Sequence, residues 1–543
     1  MKDEGKIEVF TSSFILHPSS FSRAPASSNA SRAPAMMPPG VPGNSSAEIG
    51  VARLGRAPAS AGRDRMSEIK PLVMKFGGTS VEDAPALARV AEIVGARKSQ
   101  RPVVVVSAMS RVTDALLAAV RAAEAGEPDE ALRSLSAHFA RHLDAAQSLV
   151  AAEEVSDIER AVEDARREIA ALLREVSLRA RPHALLQDAV VSYGERLSAT
   201  LLSAVLRGQG LDSRTVDARL CVATDDAHTC ATPLQDETDG RTRAELEPMI
   251  AKSVVPVLGG FIGSTLEGET TTLGRGGSDY SAALVGAALA ASEIQIWTDV
   301  TGVLTADPRV VKGARTVPSM SYAEAAELAY FGAKVLHPKT ILPAVVRGIP
   351  VRICNSREPE ALNTVIYFET ELSPRTVKAI AHKTGVSVVH VTSARMLGAF
   401  GFLRRLFEVF DRHRTIVDIV TTSEVSVSMS VEDTSAIAEI IADLKPIAAV
   451  RVEPRRAIIC IVGEGLRWTP GVAGRVFSTI DDINVLLISQ GASNINLTFV
   501  VEEDRAVEAV RRLHAAFFEE EEDAADAGAG AVAAEARGAS RRA

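Results

Sequence analysis

The sequence predicts an α/β protein: a three-layer α/β domain followed by two ferredoxin-like βαββαβ modules. Three observations carry this. From Pro71 onward, short apolar runs ending near Gly or Ser alternate with helical patterns, as in a sheet covered by helices on both faces. After about residue 377 the texture changes, and a repeat appears that places Phe407 and Phe477 in equivalent positions. Residues 1–65 share neither pattern.

The first segment is rich in Ser, Ala, Pro and Arg, with Ser-Arg-Ala-Pro-Ala starting at Ser22 and again at Ser31. It has too little apolar surface to offset the entropy of ordering it, so disorder is expected. Two other readings stand beside that one. The absence of acids between Val9 and Ala47 suits an organelle transit peptide, and Met66 is a candidate true start. The tail after Phe518, a Glu run followed by Ala and Gly, reads as solvated and disordered.

Between these ends, Leu72–Lys75 and Val103–Val106 read as buried parallel strands. Asp83 caps a helix that has Pro85 in its first turn and Leu87, Val90, Ile93 and Val94 on one face. Further strands are expected at Val254–Leu258, Ile294–Trp297 and Val351–Ile353, and helices at Ala115–Ala125 and Val155–Arg179. In the repeat, Gly401-Phe402-Leu403 and Gly471-Val472-Ala473 each precede a helix. Alternating strands follow at Val425–Val431 and Ile495–Val501. Two copies are too few for a solenoid. The expected domains are therefore 1–65, 70–370, 377–453, 454–518 and 519–543.

Bulk properties exclude several classes. The 543 residues are 46% apolar and 24% charged, ordinary for a soluble protein, and the formal charge of −9 gives no reason to expect nucleic-acid binding. No apolar run approaches the roughly 18 residues of a membrane span. Cys221, Cys230, Cys354 and Cys460 are scattered, with no CxxC pair and no His cluster, so neither a disulfide framework nor a zinc site is indicated. A reducing cytoplasm is the expected compartment.

The chemistry concentrates in three places. Lys75-Phe76-Gly77-Gly78-Thr79-Ser80 follows a strand; paired glycines let backbone N–H groups approach phosphate, and Lys75 offers charge to a transferring phosphoryl group. Taken alone, the motif also fits a plain turn after a strand. In Thr271-Thr272-Leu273-Gly274-Arg275-Gly276-Gly277-Ser278-Asp279, an Arg embedded among glycines opens a helix, as in an anion site. Asp279 also fits a simple N-cap. Thr298-Asp299 lies at a strand's carboxyl end, followed by Asp307-Pro308-Arg309 and Gly332-Ala333-Lys334-Val335-Leu336-His337-Pro338. His337 reads as a helix-end residue. There is no Walker loop and no HRD or DFG pair, and the GxGxxA at Gly528 has no strand before it.

These motifs, with Ser192-Tyr193-Gly194-Glu195-Arg196-Leu197-Ser198, resemble aspartate kinases in content and order, from about Lys75 to Phe518. The lysine-sensitive, monofunctional type is the nearest in pattern. Met66-Ser67-Glu68-Ile69 also looks like an aspartokinase N-terminus. The resemblance implies an amino-acid-kinase-like fold with C-terminal ACT modules, and transfer of the ATP γ-phosphate to the β-carboxylate of L-aspartate with Mg²⁺. It implies Lys75 and Asp279 as catalytic residues, and Thr113, Glu195, Arg275 and Ser278 at the aspartate. Lys75, Gly77, Gly78, Thr298, Asp299, Arg309, Lys334 and Val335 fall at the ATP. Met396, Gly401, Asp418, Ser423 and Glu424 match the effector segments, with lysine as the expected effector and threonine its rival. Leu304 departs from the pattern, where relatives often carry Tyr. A homodimer or homotetramer is expected, with no nucleic-acid or membrane partner. No fused homoserine dehydrogenase is expected, because no dinucleotide fingerprint follows the modules. Two rivals remain: a kinase of this fold for another carboxylate, and a catalytically inactive amino-acid-binding regulator.

Overall fold

The computed structural model describes residues 70–332, 336–368, 376–491 and 493–519. The N-terminal extension and the tail from residue 520 lie outside them. The first part of the chain supplies strands β1 (Leu72–Phe76), β2 (Pro102–Val106), β3 (Ser213–Val216), β4 (Val255–Gly259), β5 (Ile262–Ser264), β6 (Thr270–Thr272), β7 (Glu293–Thr298), β8 (Ser319–Ser321), β9 (Val351–Asn355) and β10 (Thr364–Tyr367). Eight of these form one sheet in the order β3-β4-β2-β1-β7-β9-β10-β8, and β5 and β6 form a separate hairpin. From β3 through β9 neighbours run parallel; β10 turns antiparallel to β9 and carries β8 with it.

The apolar runs of β1 and β2 are buried along their length because each strand serves two cores. Leu72, Met74, Phe76, Val104 and Val106 pack into one, and Val73, Val103 and Val105 into the other. The helix Ala84–Gly95 starts where its sequence places it, with the Asp83 carboxylate accepting the Ala86 N–H at 2.8 Å. The long charged helix spans Ala152–Leu178, and its buried stripe includes Ile158, Val162, Ile169 and Leu173. In register, Phe76 lies beside Val106 and Trp297, and Val106 beside Gly259. Four loops therefore leave the sheet at one carboxyl edge, where parallel α/β sheets bind ligands.

The second part forms an antiparallel sheet from β11 (Ala379–Thr392), β12 (Val417–Thr422), β13 (Ser426–Val431), β14 (Ala449–Val462), β15 (Leu487–Gln490) and β16 (Asn496–Glu502), ordered β12-β13-β11-β14-β16-β15. The two long strands cross the whole sheet. Residues 379–383 of β11 pair with 458–462 of β14, and 388–392 pair with 449–453. The strand set beside β16 thus includes the opening residues of the first module, and a division at residue 453 falls inside β14. Helices Phe402–Arg412 and Ile437–Leu444 cover one half, and Val472–Thr479 and Glu503–His514 the other.

Period-2 alternation predicts one wet face for β16, yet Leu497 through Val501 are all buried. Leu497, Phe499 and Val501 face the helices, while Val500 joins Ala379, Ile458, Cys460 and Val462 in a core shared with Leu328 and Phe331 of the first part. The helix Tyr322–Tyr330 therefore lies at the contact between the two sheets. Its Ser321–Glu324 capping box is extended by Lys378, whose ammonium lies 2.8 Å from Glu324, with the side chains 4% and 0% exposed. Asn496 donates to Glu327 at 2.8 Å, and Thr305 Oγ1 meets His514 Nε2 at 2.9 Å. Among the described residues, no helix is long and apolar enough to cross a membrane. Removing one member of a buried pair strands its partner's charge. Glu324→Ala should accordingly lower stability to urea by about 3–5 kcal/mol, read from the shift in the unfolding midpoint.

Candidate active site

The carboxyl edge of the first sheet opens into a cavity of about 580 Å³. Lys75, Gly77, Gly78, Thr113, Glu195, Arg275, Ser278, Asp279, Thr298 and Asp299 all line it, although they come from five separate stretches of chain. Lys75 reaches it from β1, and its Nζ lies 2.7 Å from Asp279 Oδ1, the two side chains 11% and 14% exposed. Asp279 stands in the first turn of helix Gly277–Ala288, whose N-terminal end carries partial positive charge. Gly274 and Gly276, both at φ +72°, flank Arg275 in left-handed conformations that favour glycine, so the loop projects Arg275 onto the cavity wall.

Close backbone approach explains the paired glycines. A Cβ on Gly78 would stand 2.9 Å from the Ala108 carbonyl oxygen, and the Gly77 N–H donates to Trp297 O at 3.0 Å. Gly259 and Gly260 form a third pair, which sequence reasoning passed over. A Cβ on Gly260 would meet that of Ser278 at 2.7 Å, and one on Gly259 would meet that of Glu195 at 3.0 Å. Two glycines directly after the buried run of β4 were the available signal. Ser107, Met109, Ser110 and Arg111 also line the cavity from the loop after β2, where only Thr113 was singled out. Met109 N–H donates to Ser198 Oγ, tying this loop to the helix Tyr193–Gly208 that bears Glu195.

Glu195 is 3% exposed, and its Oε2 has no hydrogen-bond partner among the described residues. Burial pushes its carboxyl up to about 8, against a hydrogen bond from the Ala108 backbone. A carboxyl held dry and an exposed guanidinium on the walls of one cavity suit a zwitterionic amino acid, with its ammonium at Glu195 and its carboxylate at Arg275. Asp279 and Asp299 are hard oxygen donors in the same cavity, the chemistry that a phosphate-borne Mg²⁺ takes.

The remaining expected site residues either are absent from the described lining of this cavity or fall outside the described residues. Arg309 is exposed and is not among the residues that line this cavity, and its guanidinium pairs with Asp307 at 2.6 Å. Half-buried Leu304 pairs through its backbone with Thr316. Lys334 and Val335 fall outside the described residues. In the second part, Gly401 is the left-handed N-cap of Phe402–Arg412, Met396 packs partly buried on the core of the first module, and Ser423 and Glu424 occupy the exposed β12–β13 hairpin. Asp418 is set apart from them. Its side chain is 3% exposed, accepts a hydrogen bond from Tyr330 Oη and lies 3.8 Å from Lys383 Nζ.

Residues 70–355 match the amino acid kinase family, and residues 459–517 match the ACT domain. Lysine-sensitive aspartokinase 3 of Escherichia coli (strain K12) is 38% identical over 467 residues, spanning 84% of this chain and 100% of its own. Aspartokinase 2, chloroplastic, of Arabidopsis thaliana is 37% identical over 466 residues, spanning 82% and 84% respectively. The crystal structure of E. coli aspartokinase III in complex with aspartate and ADP (R-state) superposes with a TM-score of 0.68 at 36% identity, covering 83% of this chain and 100% of that one. With one fold, one order of domains and this identity along more than four fifths of its length, the chain belongs to the aspartokinase family.

Proposed function

We propose that the protein transfers the γ-phosphate of ATP to the β-carboxylate of L-aspartate, giving 4-phospho-L-aspartate and ADP. The observation that carries this reading is the buried Glu195 carboxyl, whose Oε2 has no hydrogen-bond partner among the described residues, in one cavity with Arg275 and the Lys75–Asp279 pair. Glu195 takes the substrate ammonium and Arg275 its α-carboxylate, with Thr113 and Ser278 beside them. The β-carboxylate, already ionised near neutral pH, then attacks the γ-phosphorus as the bond to the ADP oxygen breaks. Lys75 neutralises charge growing on the transferred group, and Asp279 orients Lys75. Gly77, Gly78, Thr298 and Asp299 hold the nucleotide, and Asp279 and Asp299 would hold a Mg²⁺ brought with ATP, which would neutralise phosphate charge. We extend the nucleotide site to Arg309, Lys334 and Val335 on resemblance alone. An acetylated substrate lacks the ammonium that Glu195 requires, which disfavours the other carboxylate kinases. The intact Lys75–Asp279 pair disfavours an inactive regulator.

We further read the second part as a feedback sensor for lysine, on the relative's name and the segments around Met396, Gly401, Asp418, Ser423 and Glu424. Exposed Leu397, Phe400 and Leu403 on the first module support a homodimer or homotetramer, since a second copy would cover them. We place the enzyme in a cytoplasm; the chloroplastic name of the plant relative makes a plastid the alternative.

The test is ADP release from a panel of L-aspartate, N-acetyl-aspartate and L-glutamate, with lysine and threonine added in turn. Aspartate alone should support turnover, and lysine should suppress it. Arg275→Ala should raise KM for aspartate by at least about tenfold, the scale of a lost charged hydrogen bond, while KM for ATP holds. A change confined to KM for ATP would assign the loop to the nucleotide.

Glu195 adds a pH dependence. In the free site its carboxyl is protonated below about 8, so binding the ammonium must expel that proton. KM for aspartate should therefore fall as pH rises toward 8, by up to about tenfold per unit, with KM for ATP nearly flat. Glu195→Gln should bind aspartate weakly at every pH. A wild-type KM for aspartate that is flat between about pH 6 and pH 8 would contradict this assignment.

A further inference from the structure

Asp188 belongs to no motif, yet it is 1% exposed on the helix His183–Val191 and gathers donors from two distant segments. Its Oδ1 accepts the Thr272 hydroxyl at 2.6 Å. Its Oδ2 accepts the N–H groups of Thr229 at 2.8 Å and Thr272 at 3.1 Å, and faces His228 Nδ1 at 3.2 Å. Each segment leads to the aspartate side of the cavity. Thr272 ends β6 three residues before Arg275. A Cβ on Gly274 would lie 3.2 Å from Cys230 Sγ and 3.5 Å from Thr229 O, so the 228–230 turn backs the loop that presents Arg275. Thr229 itself sits at φ +71°, an uncommon conformation for a β-branched residue, with its N–H aimed at Asp188. In the other direction, only Ser192 separates the Asp188 helix from the helix that carries Glu195.

We infer that Asp188 is a positioning residue for the amino-acid substrate: through Thr272 and the 228–230 turn it sets the spacing between Glu195 and Arg275. This rests on the reading above, in which those two residues hold the ammonium and the α-carboxylate. That spacing decides where the β-carboxylate points, so its loss falls on aspartate rather than on ATP. A carboxylate suits the task because the groups around it are donors. An amide of the same shape would turn one N–H toward other N–H groups.

The experiment measures KM for aspartate and for ATP separately in the wild type, Asp188→Asn and Thr272→Val, with thermal unfolding alongside. Asp188→Asn should raise KM for aspartate by about tenfold or more, in line with lost hydrogen bonds to a buried charge, while KM for ATP stays within about twofold. Thr272→Val, which removes one hydroxyl at nearly constant volume, should give a smaller shift in the same sense and keeps the test available if Asp188→Asn fails to fold. Equal increases in both KM values with a lower Tm, or no change in either, would overturn the positioning role and leave the substrate reading standing. A wild type that releases no ADP with aspartate would overturn both.

Discussion

The ion pair between Lys75 and Asp279 joins two elements that nothing in chain order brings together, the end of β1 and the first turn of the helix at Gly277. Both charges are largely withdrawn from water, an expensive arrangement unless the partners are close and well aligned. The surrounding glycines make that closeness possible. Gly77 and Gly78 let the first loop lie on the backbone of its neighbours, and Gly259 and Gly260 make room for Glu195 and Ser278. Arg275 and Glu195 line the same cavity as this pair. The pair gives the site fixed charge largely shielded from water, which suits phosphoryl transfer to an already ionised carboxylate.

The C-terminal modules meet the first domain at one helix and at Thr305. Tyr322–Tyr330 lies on the antiparallel sheet, holding Lys378 at one end and Asp418 at the other, the latter through Tyr330. Gly332 continues the contact, since a Cβ there would stand 2.6 Å from the His382 carbonyl oxygen. On the far side, Thr305 O accepts the Ile380 N–H and Thr305 Oγ1 meets His514. A ligand that changed the partners of Asp418 would therefore act on a segment already packed against the first domain. Coupling of this kind needs only a difference in affinity between two arrangements of that helix.

Much of this was legible along the chain, for identifiable reasons. Leu72–Phe76 and Pro102–Val106 announce buried strands because both faces are covered, leaving no polar alternation to blur them. Gly274 and Gly276 around Arg275 mark a loop that needs left-handed backbone. What could not be read depends on contacts distant in sequence. Asp188 looks like any acid in a helix until Thr229 and Thr272, 41 and 84 residues away, are brought to it. Asp418 looks like a strand-end carboxylate until Tyr330, 88 residues earlier, is placed against it. Short strands such as β8 and β10 carry too few residues for a periodic signal, and the sharing of β11 between two modules is a matter of pairing alone. Glu195 was identified through its motif. Its burial was not foreseeable from composition.

The most direct measurement is a double-mutant cycle on kcat with Lys75→Ala, Asp279→Ala and the combined variant, each checked for folding. If the two residues act as one unit, each single change should lower kcat by about a thousandfold or more, and the double variant should fall little below the worse single one, as in other jointly acting catalytic groups. Losses that multiply in the double variant, or an Asp279→Ala enzyme with nearly wild-type kcat, would contradict the account.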